Sequence, residues 1–216
     1  MQIILDPSDT SLASEDVSLP TLPPAARQFG FLPNVRKCLP GDLVLYAAVD
    51  ANAVGREITR SQKLAGFADE HAKWTHAAVF LFDDFIVEAI PGKGVVTRTI
   101  YEDVPGKLIR VRRDMKLSEP ERYRIALRAL RMLGDSYSHV GIWKLAQRMW
   151  RGIWNGRGVP PEEQNLVICS KVFADSYMDE KRSTLEGCPI NFPATPAHLS
   201  ATKDLSDQNV GWLKIS

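Results

Sequence analysis

Between His76 and Arg112, short apolar runs alternate with turn segments too short to hold a helix. The runs are His76–Leu81, Phe85–Ile90, Val95–Ile100 and Lys107–Arg112, and the separators include Asp83-Asp84 and Pro91-Gly92-Lys93-Gly94. Strands joined so tightly must double back on one another, because a parallel crossover needs a dozen residues or more. A further run, Leu43–Val49, follows the turn residues Pro40-Gly41-Asp42. The expectation is an antiparallel meander or barrel packed against helices, an α+β protein.

The helices bracket this block. Ser118-Glu119-Pro120-Glu121 is a capping box with proline in the first turn, and Tyr123, Ala126, Leu127, Leu130 and Leu133 keep helical spacing until Gly134. Ile58 to residue 72 suggests one or two irregular helical turns, and Thr195-Pro196-Ala197-His198-Leu199 a short capped helix. Over 142–154, Ile142, Trp143, Leu145, Ala146, Met149, Trp150, Ile153 and Trp154 share one half of a helical wheel, opposite Lys144, Gln147, Arg148 and Arg151. That apolar face fits either a membrane interface or the protein's own core. Residues 1–36, with Pro7, Pro20, Pro23, Pro24 and Pro33, read as an extended arm, and 37–216 as one domain.

Composition narrows the function classes. A net charge of +1 gives no general attraction to nucleic acid. The three cysteines, Cys38, Cys169 and Cys188, form no C-x-x-C pair, which argues against a disulfide framework and a cysteine-rich zinc site. Neither a phosphate-cradling glycine pattern nor a metal-ligand spacing occurs, so no cofactor and no metal is expected. The start, Met1-Gln2-Ile3-Ile4-Leu5-Asp6, lacks a basic region and a long apolar run. The expectation is a soluble chain, cytoplasmic at synthesis, with signal-independent export left open.

One cysteine stands apart. Val167-Ile168 delivers Cys169 to a helix whose apolar positions Val172, Phe173, Ser176 and Tyr177 run to about Met178. Unpaired N–H groups and the positive dipole end there favour thiolate, and Lys171 adds a nearby charge. A buried inert thiol is the plain alternative. A nucleophile needs a base, and His76 opens a strand at the sheet rim, whereas His71, His139 and His198 have simpler surface or helix-end explanations. Glu88 lies inside an apolar strand, where a carboxylate is costly without a partner. A three-residue turn closed by Leu81 and Phe85 would set Glu88 across from Ala78 and on the same face as His76.

These residues, in this order, resemble the circularly permuted branch of the NlpC superfamily of papain-like cysteine hydrolases, and its YiiX-like members most closely. The matching pieces are Pro40-Gly41-Asp42-Leu43-Val44-Leu45, Trp74-Thr75-His76-Ala77-Ala78-Val79, Val87-Glu88-Ala89 with Gly94-Val95 beyond, Leu133-Gly134-Asp135-Ser136-Tyr137, Ile168-Cys169-Ser170 and Thr195-Pro196. They extend over roughly residues 40–205. The resemblance implies a permuted papain-like fold with Cys169 as nucleophile at a helix N-terminus, His76 as general base and acid, and Glu88 orienting the ring. It implies an oxyanion donor in the Cys169 backbone N–H, with Ser170 and Tyr137 as further candidates on the oxyanion or substrate side. Lys171 departs from relatives that carry glutamate after Cys-Ser, and 138–163 reads as an insertion.

The implied activity is a bacterial thiol hydrolase, housekeeping or exported as an effector, cleaving a peptide or cell-wall amide or an ester. A lecithin:retinol acyltransferase-like lipase or acyltransferase is the second reading, with Trp143, Trp150 and Trp154 as a membrane or substrate surface. A non-catalytic binding module is the third.

Overall fold

The computed structural model describes residues 3–19, 21–135, 168–181, 185–188 and 194–216. Tyr137, His139, Trp143, Trp150, Trp154 and the segment 138–163 lie outside the described residues.

The strand-rich block folds as an antiparallel sheet. Its strands are β4 (Leu43–Ala48), β5 (His76–Phe80), β6 (Phe85–Ile90), β7 (Gly94–Thr99) and β8 (Lys107–Arg113). Two short strands, β1 (Ile4–Leu5) and β9 (Ser206–Asp207), pair with β8, giving the order β1-β8-β4-β5-β6-β7. The sheet is open, so the barrel half of the expectation is corrected. Beyond β4, β8 is already paired with β1 and β9, which leaves β7 no strand to close upon among the described residues.

Both faces of the sheet are buried, and the strand period of two sorts the side chains between them. Leu43, Leu45, Ala77, Val79, Val87 and Ala89 face one core with α4 (Glu119–Arg131) and α5 (Cys169–Lys181). Val44, Tyr46, Ala78, Phe80 and Ile86 face the other. Residues before 37 do not stay extended. They form β1, β2 (Ser14–Val17), α1 (Pro24–Phe29) and β3 (Phe31–Pro33). With β10 (Trp212–Ile215), β2 and β3 make a second sheet that seats Leu22, Ala26, Leu32 and Trp212 in the second core. The apolar second face of the sheet is thereby covered by the arm.

Three local signals act as their chemistry dictates. The Ser118 N–H donates to Glu121 at 2.7 Å, completing the capping box of α4. Gly41 has φ +81, and a Cβ there would lie 2.8 Å from the Arg122 carbonyl oxygen, so α4 can approach the Pro40–Asp42 turn only over a glycine. Leu81 and Phe85 close a three-residue turn, with the Leu81 N–H donating to Phe85 at 2.9 Å, which sets Ala78 opposite Glu88.

Before β5 the structure is more regular than the sequence pattern suggests. It contains α2 (Ala53–Leu64), capped by Asn52, and α3 (Asp69–Ala72). The buried face of α2 carries Ser61 and Gln62, so its helical period is invisible to a count of apolar residues. Gln62 donates to the carbonyls of Ala72 at 2.8 Å and Trp74 at 2.9 Å and accepts from the Ala197 N–H at 2.9 Å. One amide thereby ties the approach to β5 to α6 (Pro196–Ala201). No described helix is long and apolar enough to cross a membrane.

Candidate active site

His76 is the first residue of β5, where the sheet begins to open. On β5 successive N–H groups point alternately to β4 and β6, and Leu81 donates toward β6. Val79 and Ala77 share that direction, yet the β5–β6 register ends at Ala78–Glu88. The Ala77 N–H donates instead to the Cys169 sulfur. The first residue of α5 therefore sits in the gap where the ladder stops, and the two halves of the chain meet there.

Cys169 is hydrogen-bonded to the His76 ring, and His76 Nε2 is held by Glu88 Oε2. With Nε2 engaged, Nδ1 is the nitrogen left for the sulfur. Glu88 is 2% exposed, and its other oxygen, Oε1, accepts from Arg98 Nη1 at 3.1 Å. Arg98 in turn donates from Nε to Glu102 at 2.7 Å. The groups thus run sulfur, imidazole, carboxylate, guanidinium and carboxylate, drawn from α5, β5, β6, β7 and the 3₁₀ turn Ile100–Asp103.

The charges follow from this chain. Burial pushes the Cys169 thiol up, but the adjacent His76 charge and the Ala77 and Ser170 N–H groups outweigh it, and the thiol is held below its ordinary value. Burial also opposes the imidazolium, yet the Cys169 thiolate and the bonds to Cys169 and Glu88 raise His76 to about 10. Glu88 stays low despite burial because His76 and Arg98 both favour its anion. Both shifts favour the thiolate–imidazolium form of the pair.

Cys38 and Cys188 are the opposite case. Burial pushes each up to about 12, which leaves them protonated and inert.

Other residues singled out in the sequence have different places. Lys171 pairs with Asp175 one turn along α5 at 3.0 Å, so the positive charge facing the sulfur is that of His76 and not of Lys171. The Ser170 hydroxyl is fully buried and donates to the Ala194 carbonyl at 2.5 Å, which ties α5 to the start of α6, while its N–H serves the sulfur. His198 is buried, and its Nδ1 accepts from the Thr195 N–H at 3.1 Å, capping α6. Burial holds its ring neutral, at about 4. His71 Nδ1 lies 3.0 Å from the Ser200 hydroxyl. Compared with known proteins, the chain matches no family model and no curated sequence.

Sequence reasoning missed Arg98. The signal was available: β6 and β7 pair Glu88 with Val96, which makes Arg98 a diagonal neighbour on the same face. It also missed Gln62, whose amide is fully committed and therefore cannot serve as an oxyanion donor.

Because His76 is raised in the folded protein, its contribution is complete below the unfolded value near 6.5 and is lost as pH rises through about 10. Because Cys169 is pulled down in the same pair, folded and unfolded states each hold one proton between about pH 6.5 and 8.5. Urea unfolding of wild type against the Cys169→Ala/His76→Gln double variant should therefore show a level stability difference there that shrinks by on the order of 1 kcal/mol between pH 8.5 and 10.5. That figure is well below the full linkage value because the ring is 22% exposed. A pH-independent difference would contradict the charged pair.

Proposed function

We propose that the chain is a cysteine hydrolase that cleaves an amide or ester bond through a thioester acyl-enzyme, on a permuted papain-like fold of the NlpC, YiiX-like kind. The observation that carries this reading is the continuous contact from the Cys169 sulfur through His76 to the buried Glu88. Such a set stores a ready nucleophile and a proton for the leaving group.

In the proposed cycle the thiolate attacks the substrate carbonyl carbon, and the resulting oxyanion meets the Cys169 backbone N–H, the first donor of α5. His76 passes its proton to the departing amine or alkoxide as the carbon–heteroatom bond breaks, leaving a thioester. Neutral His76 then takes a proton from water, whose hydroxide attacks the thioester. Loss of the carboxylic acid product returns thiolate and imidazolium. Glu88 stays ionised throughout and fixes the ring so that one nitrogen serves the sulfur.

A peptide or cell-wall amide is the favoured substrate class on the resemblance in residues 40–205. The lipid reading depends on Trp143, Trp150 and Trp154, so the described structure adds nothing to it. The test is mass spectrometry of cell-wall peptide fragments and phospholipid vesicles after exposure to wild type or Cys169→Ala. New amide products made only by wild type support the favoured reading, and thiol-dependent lyso-lipid supports the lipase. No thiol-dependent product in either pool would count against hydrolysis.

A further inference from the structure

Glu88 presents an electrostatic problem that the triad does not solve alone. A carboxylate only 2% exposed, with one oxygen bonded to a histidine, can relieve its burial by taking the proton from the ring. The pair would then be neutral, and the sulfur would lose the imidazolium that stabilises its negative charge. Something must hold the proton on the ring side.

Arg98 is placed to do so. Its Nη1 donates to the Glu88 oxygen that His76 does not use, at 3.1 Å. Its orientation is set from outside, by Nε to Glu102 at 2.7 Å and by both terminal nitrogens to Asp103 at 3.4 Å. Among the described residues, the other groups around the carboxylate and sulfur do not compete for this role. Tyr46 on β4 packs at 5.9 Å from the His76 ring and is kept protonated by burial and by Glu88. Lys171 is occupied by Asp175. Among the described residues, Arg98 is thus the cation that contacts Glu88 besides the ring itself.

We infer that Arg98 is a positioning residue of this site: by holding the second oxygen of Glu88 in a fixed fork, it keeps the shared proton on His76 and the Cys169 sulfur ionised. The inference rests on the proposed nucleophile. It adds that nucleophile strength is set through two intervening residues, His76 and Glu88, by a side chain that acts on the sulfur only through them. Guanidinium geometry matters, since the same group must meet Glu88 on one side and Glu102 and Asp103 on the other, which a lysine point charge does poorly.

The test is the pH dependence of Cys169 alkylation by iodoacetamide, located by peptide mass spectrometry, in wild type, Arg98→Gln and Arg98→Lys. Urea unfolding of each variant serves as a check on folding. In Arg98→Gln the alkylation midpoint should rise by about one pH unit, roughly a tenfold slower reaction at a pH below both midpoints. Arg98→Lys should fall between the two. A purely structural role would lower the unfolding midpoint and leave the alkylation curve in place, and that result overturns the inference. Should the glutamine variant fail to fold, the lysine variant decides alone, and a curve superimposed on wild type overturns the fork. If wild type itself shows no plateau below the ordinary thiol range, the nucleophile reading fails instead, and the two failures are distinct.

Discussion

Cys169→Ala is expected to lower turnover by at least about a thousandfold while the protein still unfolds cooperatively in urea. In the proposed reaction the sulfur forms the acyl bond, and the methyl that remains neither attacks nor pairs with His76. Cys169→Ser should be almost as inactive, because a serine hydroxyl is far too weak an acid to rest ionised beside an imidazolium tuned to a thiolate. The same electrostatics predict which thiol reacts. Cys38 and Cys188 are both pushed up to about 12, whereas Cys169 is pulled down. At pH 6, limiting iodoacetamide should therefore modify Cys169 about a thousandfold faster than either of the others. Equal labelling of the three, or full turnover by the alanine variant, would remove Cys169 from the mechanism.

Arg112→Met is expected to cost about 3–5 kcal/mol, the penalty typical of breaking a buried charge network on one side. The Arg112 side chain is 7% exposed and caps the C-terminal end of α6. Nη1 donates to the carbonyls of Leu199 and Ser200 at 2.8 Å each, and Nη2 to Thr202 at 3.0 Å and to Leu205. Nε reaches Asp207 at 3.2 Å, where Arg110 adds a two-point contact. The last carbonyls of a helix have no partner within it, and here a guanidinium from β8 supplies one. Methionine fills much of the space and leaves those oxygens buried and unpaired. Arg112→Lys should recover less than half of the loss, since an ammonium cannot span the fork. Urea unfolding and the thermal midpoint check both; for a chain of this length a midpoint fall of about 10 °C is the corresponding scale. A loss under about 1 kcal/mol would mean that water reaches the helix end and the arginine is dispensable.

How much of this was legible beforehand can be judged residue by residue. Period-two runs between short turns identified β4 to β8, and the demand that a buried carboxylate have a partner picked the register that sets Glu88 opposite Ala78. The capping residues Ser118, Glu121 and Thr195 marked helix starts because their bonds are local. α2 was under-read because its buried face is polar, with Gln62 satisfied by groups from two distant segments. Lys171 reads in the sequence as a charge beside the sulfur, and in the structure Asp175, a turn later, pairs with it.

The chain alone determined the strand pattern, the turn that sets Glu88 over Ala78, and the helix that begins at Cys169, since each depends on residues within a few positions of one another. Only the tertiary structure decided that the β5–β6 ladder stops where it does, so that the Ala77 N–H turns to sulfur. It also decided that the proline-rich start is folded onto the second face of the sheet. These depend on contacts between segments far apart in the chain.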